Sequence, residues 1–327
     1  MKEGMNHISI SRRAVLCAAL AAGTSLASAQ ESTFPNRPIR FLVGYAAGGG
    51  VDTMARIVAQ RLGTALGQSV IVENRGGAAS MIAADVVAKA PADGYTLMYG
   101  ESALLIAPLL RKTPLDPLKA LVPIAGTFQS RLMIVASSKV PAANPRELVA
   151  LLKANPGRYS YGTSGVGTVH HLGFELMKSK TDAFVIHIPY RGASQIVPDV
   201  ISGELPIGVV SAAAAVPHVR AGKLKAIATM STRMPGAEEV PPLSDALPGF
   251  NVGPRQMLLA PAGTPPEVVQ RLAEAVRNVL TMPEVAEAAT KQGVSPAYMA
   301  PDLLAKDLQR ESSDWMKVVN AQKISAE

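Results

Sequence analysis

Residues 39–66 read IRFLVGYAAGGGVDTMARIVAQRLGTAL, and this stretch decides the fold of the chain. Its first seven residues are mainly apolar and have the length of a buried strand. Three glycines, 48–50, then lead into a segment whose apolar side chains follow the 3.6-residue period of a helix. This arrangement leaves free backbone N–H groups at the helix start, beside the positive end of the helix dipole. The stretch therefore predicts a site for a small anion.

Asp52 can play either of two roles at this helix start. It can be the N-cap residue, whose carboxylate accepts hydrogen bonds from the first backbone N–H groups of the helix. It can instead contact a cationic group on a ligand bound at the glycine turn. The sequence favours the N-cap and leaves the second role open.

The first 29 residues predict an export signal. Arg12 and Arg13 precede an apolar run at residues 14–26, and Ala27-Ser28-Ala29 has the small-x-small pattern of a cleavage site. The run is shorter than the roughly 20 apolar residues that a membrane span needs. The paired arginines resemble a twin-arginine signal, and the general secretory route stays open as the alternative. We expect cleavage near Ala29 and a periplasmic location.

The composition excludes several classes of function. The 327 residues carry a formal net charge of +7, which is a mild preference for anionic small molecules. Aromatic residues make up only 4% of the chain, and there is no basic run, so we expect no nucleic-acid partner. The single cysteine, Cys17, lies within the predicted signal. The mature protein therefore has no disulfide, no thiolate nucleophile and no cysteine metal site.

The chain after residue 66 predicts a parallel sheet. Strands are expected at 70–73 and 95–100 with a helix at 81–90 between them, which completes a β-α-β-α-β run. Ligands bind beyond the carboxyl ends of the strands in such sheets. That rule points to the loops 46–50, 76–80 and 101–103. Residues 108–123 are predicted to be a proline-punctuated connector.

A second strand, glycine turn and helix are predicted at residues 159–178, and they imply a second lobe. The strand at 131–136 is expected to cross into this lobe, and a strand at 252–260 is expected to return. The predicted fold class is therefore α/β with two lobes. We assign residues 30–132 and 254–327 to domain 1 and residues 133–253 to domain 2. Three helices should follow, at 265–281, 283–292 and 301–320.

Several stretches carry a resemblance to a known family, among them FPNRPIRFLVGYAAGGGVDTMAR, YGTSGVGTVHHLGFELM and VIHIPYRGASQIVPDVISGELPIGVV. In order and spacing they resemble the substrate-binding proteins of tripartite tricarboxylate transporters, the TctC-like or Bug proteins. The resemblance implies a two-lobed type II periplasmic binding-protein fold, a Venus flytrap with two crossing strands. It also implies that a small carboxylate is held in the interdomain cleft for membrane transporter subunits. We expect a monomer that uses no cofactor and no metal.

The resemblance implies a set of ligand-binding residues in two glycine loops. The first loop contributes Tyr45, Ala46, Gly48 and Gly49, with Asp52 at its rim. The second loop contributes Ser164, Gly165, Thr168 and His171. Ser102 follows the third strand, where the family often has a hydroxyl residue.

Ser211 marks a departure from the family pattern. Val210-Ser211-Ala212 stands where the family has a Phe-Asp-Asn-type segment. The loss of an acidic and amide pair removes polar contacts from the distal end of the implied pocket. A ligand with a less polar distal half, such as an aromatic carboxylate, is therefore favoured over an acidic amino acid.

Enzymatic interpretations of the second loop are weaker. The stretch 162–166 lacks the final glycine of a serine nucleophile elbow, and no ordered acid and base accompany it. The stretch 165–170 begins like a dinucleotide fingerprint but has His170 at the third glycine position. His170 and His171 would point about 100° apart on a helix, so they are poorly placed to share a metal ion. We expect a binding protein rather than an enzyme, with His171 facing the cleft. A sensor of the same fold, signalling to a membrane partner, is the alternative.

Overall fold

The computed structural model describes residues 34–45, 47–48, 50–190, 193–231, 233–234 and 237–325. By its internal contacts the chain divides into two units, Met1–Asn36 and Arg37–Glu327. The predicted export signal, including Cys17 and the cleavage site near Ala29, lies outside the described residues, as do Ala46 and Gly49 of the first loop. Within the described part of the chain, no helix combines the length and the apolar character needed to cross a bilayer.

The first of two sheets contains six strands. They are β1 (Ile39–Val43), β2 (Val70–Asn74), β3 (Thr96–Glu101), β4 (Leu121–Ser130), β10 (Arg255–Pro261) and β11 (Val294–Met299). Their order across the sheet is β11-β4-β10-β3-β1-β2. β1 pairs in parallel with both β2 and β3, which confirms the predicted β-α-β-α-β run. β10 and β11 pair antiparallel with their neighbours, so the sheet is mixed.

β1 is buried because it pairs with a strand at each edge and the helices at residues 50–66 and 81–88 pack against it. Phe41, Leu42 and Val43 have no exposed surface. A parallel strand covered on both faces is expected to be apolar throughout rather than alternating. The strand ends at Val43, two residues before the predicted end, because the chain bends away from the sheet at Gly44 and Tyr45. This bend places Tyr45 beyond the carboxyl end of the strand.

The second sheet contains five strands. They are β5 (Leu132–Ala136), β6 (Ser160–Thr163), β7 (Ile186–Pro189), β8 (Ile207–Ser211) and β9 (Lys225–Thr229). Their order is β7-β6-β8-β5-β9. β6 is parallel to β7 and β8, whereas β5 is antiparallel to β8 and β9. The carboxyl ends of β6, β7 and β8 therefore share one edge, and β5 begins at that same edge.

Eleven α-helices are seen in the described residues. They are α1 (Gly50–Leu66), α2 (Met81–Ala88), α3 (Ala103–Leu110), α4 (Pro117–Ala120), α5 (Pro145–Ala154), α6 (Val169–Thr181), α7 (Ala193–Ser202), α8 (Ala212–Arg220), α9 (Pro266–Leu280), α10 (Pro283–Lys291) and α11 (Pro301–Gln322). The last three confirm the predicted terminal helices. Side-chain caps fix the starts of three of the eleven: Asp116 accepts from the N–H of Leu118, Asn144 from that of Glu147, and Thr168 from that of His171.

The prediction of a connector at residues 108–123 is wrong. α3 extends over Pro108, α4 follows it, and the ten-residue strand β4 begins at Leu121. Pro123 lies within β4 opposite Leu259, beside a register shift in the ladder. Proline has no N–H to donate to a ladder, so it is tolerated in strands mainly at edges and bulges. The bulge allows the strand to continue through a residue that normally ends one.

The chain changes sheet at two places. Arg131 alone separates β4 from β5, so the predicted crossing strand at 131–136 is replaced by two strands joined at this residue. The returning strand begins at Arg255 rather than at residue 252. Before it, the N–H of Val252 donates to the carbonyl of Met230, which still holds the chain beside the second sheet. The domain boundaries assigned from the sequence stay a prediction.

Helices that begin beside the first sheet complete the core of the second. Leu304 and Leu308 of α11 belong to the same buried cluster as Leu42 and Met98 of the first sheet. Later residues of the same helix pack into the core of the second sheet, together with the end of α3. The residues that cross in this way are Ile106, Leu110, Trp315, Val318 and Val319. The two sheets are therefore tied together by shared apolar packing as well as by the two chain crossings.

Candidate ligand-binding site

The two glycine loops follow β1 in the first sheet and β6 in the second. Gly167, in the second loop, has φ +79, and a Cβ at this position would lie 2.4 Å from Cδ1 of Leu110. Leu110 belongs to α3, which follows β3 of the first sheet. The loop of one sheet therefore packs directly against a helix of the other, and both the backbone conformation and the close approach require glycine.

Asp52 organises the first loop. One carboxylate oxygen, Oδ2, accepts from the N–H of Gly48 at 2.8 Å and from Nε of Arg56 at 3.0 Å. The other, Oδ1, accepts from Nδ2 of Asn74 at 2.8 Å, and the same amide donates to the carbonyl of Tyr45 at 3.0 Å. Asp52 is only 2% exposed. Its carboxylate is therefore used inside the protein to fix the path of the loop.

The interpretation of Asp52 as the N-cap residue is wrong in position. α1 begins at Gly50, so Asp52 lies in the first turn and reaches back to the N–H of Gly48. Burial by itself would raise the pKa of Asp52. The hydrogen bonds from Arg56, Gly48 and Asn74 outweigh that effect and lower the pKa. Asp52 is thus ionised and already partnered at neutral pH.

Tyr45 contacts an acidic residue at the end of β3. Its hydroxyl donates to Oε1 of Glu101 at 2.6 Å. Burial of the Glu101 carboxyl raises its pKa, the bond from Tyr45 lowers it, and the nearby Glu311 raises it again. The pKa of the Tyr45 hydroxyl is also raised, first by burial and then by Glu101. The pair anchors the aromatic ring of the first loop to the neighbouring strand.

A strained segment, residues 78–80, contacts the chain at the start of the first loop. Ala78, Ala79 and Ser80 have φ values of +51, +52 and +72, in the left-handed region that residues with a Cβ avoid. The hydroxyl of Ser80 donates to the carbonyl of Gly44 at 3.2 Å. A Cβ on Gly44 would lie 2.3 Å from Cβ of Ser80. Strain of this kind concentrates at functional sites, and here it lies in the predicted ligand loop 76–80.

Ser102 has no exposed surface. Its hydroxyl accepts from the N–H of Arg255 at 3.0 Å, and its own N–H donates to the carbonyl of Arg255 at 3.1 Å. The hydroxyl also bonds to Glu311, which helps to lower the pKa of that carboxyl against the raising effect of burial. In this conformation the hydroxyl of Ser102 joins the two sequence-distant strands β3 and β10.

The second loop is held by a threonine pair and a histidine. The hydroxyl of Thr168 donates to the carbonyl of Gly165 at 2.9 Å, and that of Thr163 donates to the same carbonyl at 3.3 Å. Gly165 has φ +115, a conformation that favours glycine. The N–H of Gly167 donates to Nδ1 of His171 at 3.3 Å. Ser164 is partly exposed within this loop, whereas Thr168 caps α6.

His171 lies beneath the loop, and it is only 5% exposed. Its ring stacks on that of His187 with centroids 4.0 Å apart, and Nε2 of His187 lies 2.7 Å from Oγ1 of Thr163. Burial lowers the pKa of both histidines to about 4. Both rings are therefore neutral at neutral pH. The structure gives His171 a supporting position, with one ring nitrogen bonded to the loop backbone.

Ser211 is the last residue of β8, beside the point where the chain changes sheet. It precedes α8 and makes no side-chain cap bond to that helix. The N–H of Ala212 donates to the carbonyl of Arg131 at 2.9 Å, at the point where the chain changes sheet. A Cβ on Gly293 would lie 2.5 Å from the N atom of Ala213. The start of α8 is thus packed against the segment that leads into β11.

Sequence reasoning missed the role of Glu101 as the partner of Tyr45 and the residues that support the histidine pair. Tyr161 donates a short hydrogen bond to Glu175, and Nζ of Lys178 donates to the same carboxylate at 2.7 Å. Glu175 lies 3.8 Å from Nε2 of His171. The helical spacing of His171, Glu175 and Lys178 was a usable signal, since residues three and four apart share a helix face. The rule for parallel sheets pointed to the loop 101–103 but not to the bond between Glu101 and Tyr45, and nothing local marked His187.

Comparison with known proteins supports a common family. The family model described as "Tripartite tricarboxylate transporter family receptor", TctC, matches residues 54–324. Protein BugT of Bordetella pertussis is 33% identical over 298 residues, which cover 90% of this chain and 91% of that protein. These matches confirm the resemblance that the sequence motifs indicated.

Solved structures show the same architecture. Rpa4515 of R. palustris, solved with adipate, superposes with a TM-score of 0.78 at 27% identity and covers 89% of this chain and 99% of its own. MatC of Rhodopseudomonas palustris, solved with bound malate, gives a TM-score of 0.73 at 29% identity and covers 88% of this chain and 100% of its own. The predicted two-lobed fold of periplasmic binding proteins is therefore confirmed. The chain belongs to the tripartite tricarboxylate transporter receptor family of periplasmic solute-binding proteins.

Proposed function

We propose that this protein captures a small carboxylate between its two lobes and delivers it to a transporter of the tripartite tricarboxylate type. One observation carries the proposal. Each sheet presents a glycine loop at a helix start, and the second loop packs through Gly167 against Leu110 of the first lobe. Free N–H groups and the helix dipole at such starts favour a carboxylate. Closure of the lobes would then surround the ligand with groups from both.

The proposed site consists of the residues that the sequence indicated, of which some would contact the ligand and others support the loops. Backbone groups of the loops would contact the carboxylate, while Asp52 and His171 hold those loops in place. The hydroxyl groups would add further donors around the ligand. The proposed residues are Tyr45, Ala46, Gly48, Gly49, Asp52, Ser102, Ser164, Gly165, Thr168, His171 and Ser211.

The proposed ligand is a carboxylate with a less polar distal half, such as an aromatic acid. Rpa4515 and MatC were solved with adipate and malate, which are dicarboxylates. In this chain Ser211 is flanked by Val210 and Ala212, which are at most 1% exposed. No charged residue occurs in this three-residue segment to hold a second carboxylate or an ammonium group.

The proposal includes the cellular setting. Residues 1–29 would direct export and be removed near Ala29, which places the mature protein in the periplasm. The lobes would comprise residues 30–132 with 254–327, and residues 133–253. The presence of one sheet in each of these regions supports that division.

A calorimetric titration of the mature protein, freed of co-purified ligand by unfolding and refolding, tests the binding role. The panel is adipate, malate, aspartate and benzoate. Saturable binding of one of these acids, lost in a Gly48→Val variant, is the expected result. Absence of binding to all four would contradict the proposal. Uptake of the same radiolabelled acid by cells with and without the gene then tests delivery to a transporter, since a sensor would leave uptake unchanged.

A further inference from the structure

A cavity lies at the hinge, where the chain changes sheet, and we call it the hinge cavity. Its volume is about 740 Å³, within the range of small-molecule sites. The residues that line it include Gln129, Arg131, Ser231, Gly253, Arg255 and Trp315. They come from both chain crossings and from α11. None of the proposed cleft residues lines this cavity.

Two buried side-chain polar atoms in the described residues have no hydrogen-bond partner within the protein, and both belong to residues that line the hinge cavity. They are Oγ of Ser231 and Nε of Arg255. Buried polar groups in folded proteins are nearly always paired, because leaving one unpaired forfeits its hydrogen bonds to water without replacement. Ser231 is 5% exposed, and the Arg255 side chain is 16% exposed. The protein therefore leaves both atoms available to water or to a ligand at this site.

A ligand that pairs with both atoms must accept hydrogen bonds. A guanidinium nitrogen only donates, so Nε of Arg255 needs an acceptor. The acidic side chains around the cavity are already in use. Asp307 pairs with Arg255 at 2.8 Å and also with Arg310, and Asp314 pairs with Lys317 at 2.8 Å. Glu311 accepts from the indole N–H of Trp315 at 3.1 Å.

The side chains around the cavity also carry a surplus of positive charge. Five Lys or Arg side chains line it, against three Asp or Glu side chains. Lys180 makes no ion pair with any residue that the structure describes, and it lies at the end of α6 facing this cavity. A site with surplus donors and surplus positive charge suits an anion.

We infer that the hinge cavity binds a small oxyanion, a carboxylate or a phosphate group, which accepts from Ser231 and Arg255 and lies near Lys180. This site is separate from the cleft between the glycine loops. It also contacts the two crossings and α11, which are the segments that connect the lobes.

Trp315 makes the inference testable. It is the only tryptophan of the chain and lines the cavity, so its fluorescence reports on this site. We would titrate the mature protein separately with sodium phosphate and sodium acetate, against sodium chloride at equal ionic strength. A saturable change in Trp315 emission with either oxyanion is expected. A response to phosphate alone or to acetate alone identifies which oxyanion the site prefers.

Variants inside and outside the hinge cavity test whether the change in Trp315 emission comes from binding in this cavity. Ser231→Ala removes an unpaired hydroxyl and should leave the fold intact, while it weakens oxyanion binding about 2- to 10-fold. Lys180→Gln should weaken it to a similar extent. Lys306→Gln is the matched control, since Lys306 is an exposed residue of α11 outside the cavity, and its binding should be unchanged. The inference is overturned if neither oxyanion gives a saturable response. It is also overturned if Ser231→Ala and Lys180→Gln bind like the wild type, or if only the cleft variant Asp52→Ala loses the response.

Discussion

The imidazole rings of His171 and His187 stack with their centroids 4.0 Å apart and 21° between their planes. One ring bonds to the backbone of the second glycine loop, and the other lies beside Thr163, which bonds to the same loop. Two cations could not occupy this arrangement without repulsion. The loop therefore depends on both rings staying neutral.

This pair predicts a pH dependence of stability. Burial lowers the pKa of both histidines to about 4, below the value of about 6.5 in an unfolded chain. Between these values the unfolded chain binds protons that the folded protein does not. The free energy of unfolding should therefore fall as the pH drops from about 6.5 to 4, by up to about 1.4 kcal/mol per pH unit for each histidine. Above about pH 7 the two histidines should cause no change of stability with pH.

Urea unfolding of the wild type and of His187→Gln, at several pH values from 4.5 to 7.5, checks this. The variant should show a shallower slope below pH 6.5. Its loss of stability at pH 7.5 measures what the neutral ring contributes through stacking on His171 and the hydrogen bond with Thr163. Equal slopes in the two proteins would exclude His187 as a source of the pH dependence.

Asp52→Ala should destabilise the protein by about 2–3 kcal/mol, because it removes the acceptor of three hydrogen bonds in a buried position. Carboxylate binding should fall as well, since the first loop loses its support. Asp85→Ala is the matched control. Asp85 pairs with Lys89 at 2.7 Å on an exposed helix face, and its loss should cost about 0.5 kcal/mol or less. Denaturant unfolding with calorimetric titration measures both effects, and equal costs for the two variants would contradict the role of Asp52.

Gly167→Ala should cost more than Gly222→Ala. Both glycines have positive φ, +79 and +67, so an alanine at either is strained by about 1–2 kcal/mol. Only at Gly167 does the new Cβ meet a neighbour, Cδ1 of Leu110, whereas nothing lies within 4 Å at Gly222. The clash should add about 1–2 kcal/mol. Thermal unfolding compares the variants, and Leu110→Ala combined with Gly167→Ala should recover part of the added cost.

Tyr45→Phe should lower the stability by about 1 kcal/mol, because the buried carboxyl of Glu101 loses the hydrogen bond from the Tyr45 hydroxyl. The pKa of Glu101, which burial already raises, should rise further, since the bond from Tyr45 lowers it. Carbon-detected NMR of the labelled carboxyl group measures this pKa in both proteins. A Glu101 pKa that does not change would show that the bond has little effect on ionisation.

The strands and helices of residues 39–101 could be predicted because their signals are local. β1, α1, β2, α2 and β3 are separated by glycine and proline turns, and each has a clear period. β4 and β11 were missed because each contains a proline, Pro123 or Pro296, that breaks the local pattern. β4 pairs with β10 on one side and with β11 on the other, and these ladders hold both strands in place despite their prolines.

Only the local features of the candidate site could be predicted from the sequence. The glycine turns and the cap of Thr168 are local features of a helix start. Tyr45 meets Glu101 because it follows β1, which pairs with β3, and His171 of α6 meets His187 of β7 because the helix packs against that strand's side chain. In the second sheet, Tyr161 and His187 are direct partners in the parallel register of β6 and β7. Such neighbours follow from topology and cannot be identified from spacing along the chain.

The long helix α11 has a consequence for the order of events during synthesis. Every strand of the second sheet precedes Trp315 in the chain, yet Trp315, Val318 and Val319 form part of that sheet's core. A growing polypeptide that has not yet reached these residues has its second sheet open on one side, with apolar surface uncovered. The second lobe can therefore finish folding only after nearly the whole chain has been made.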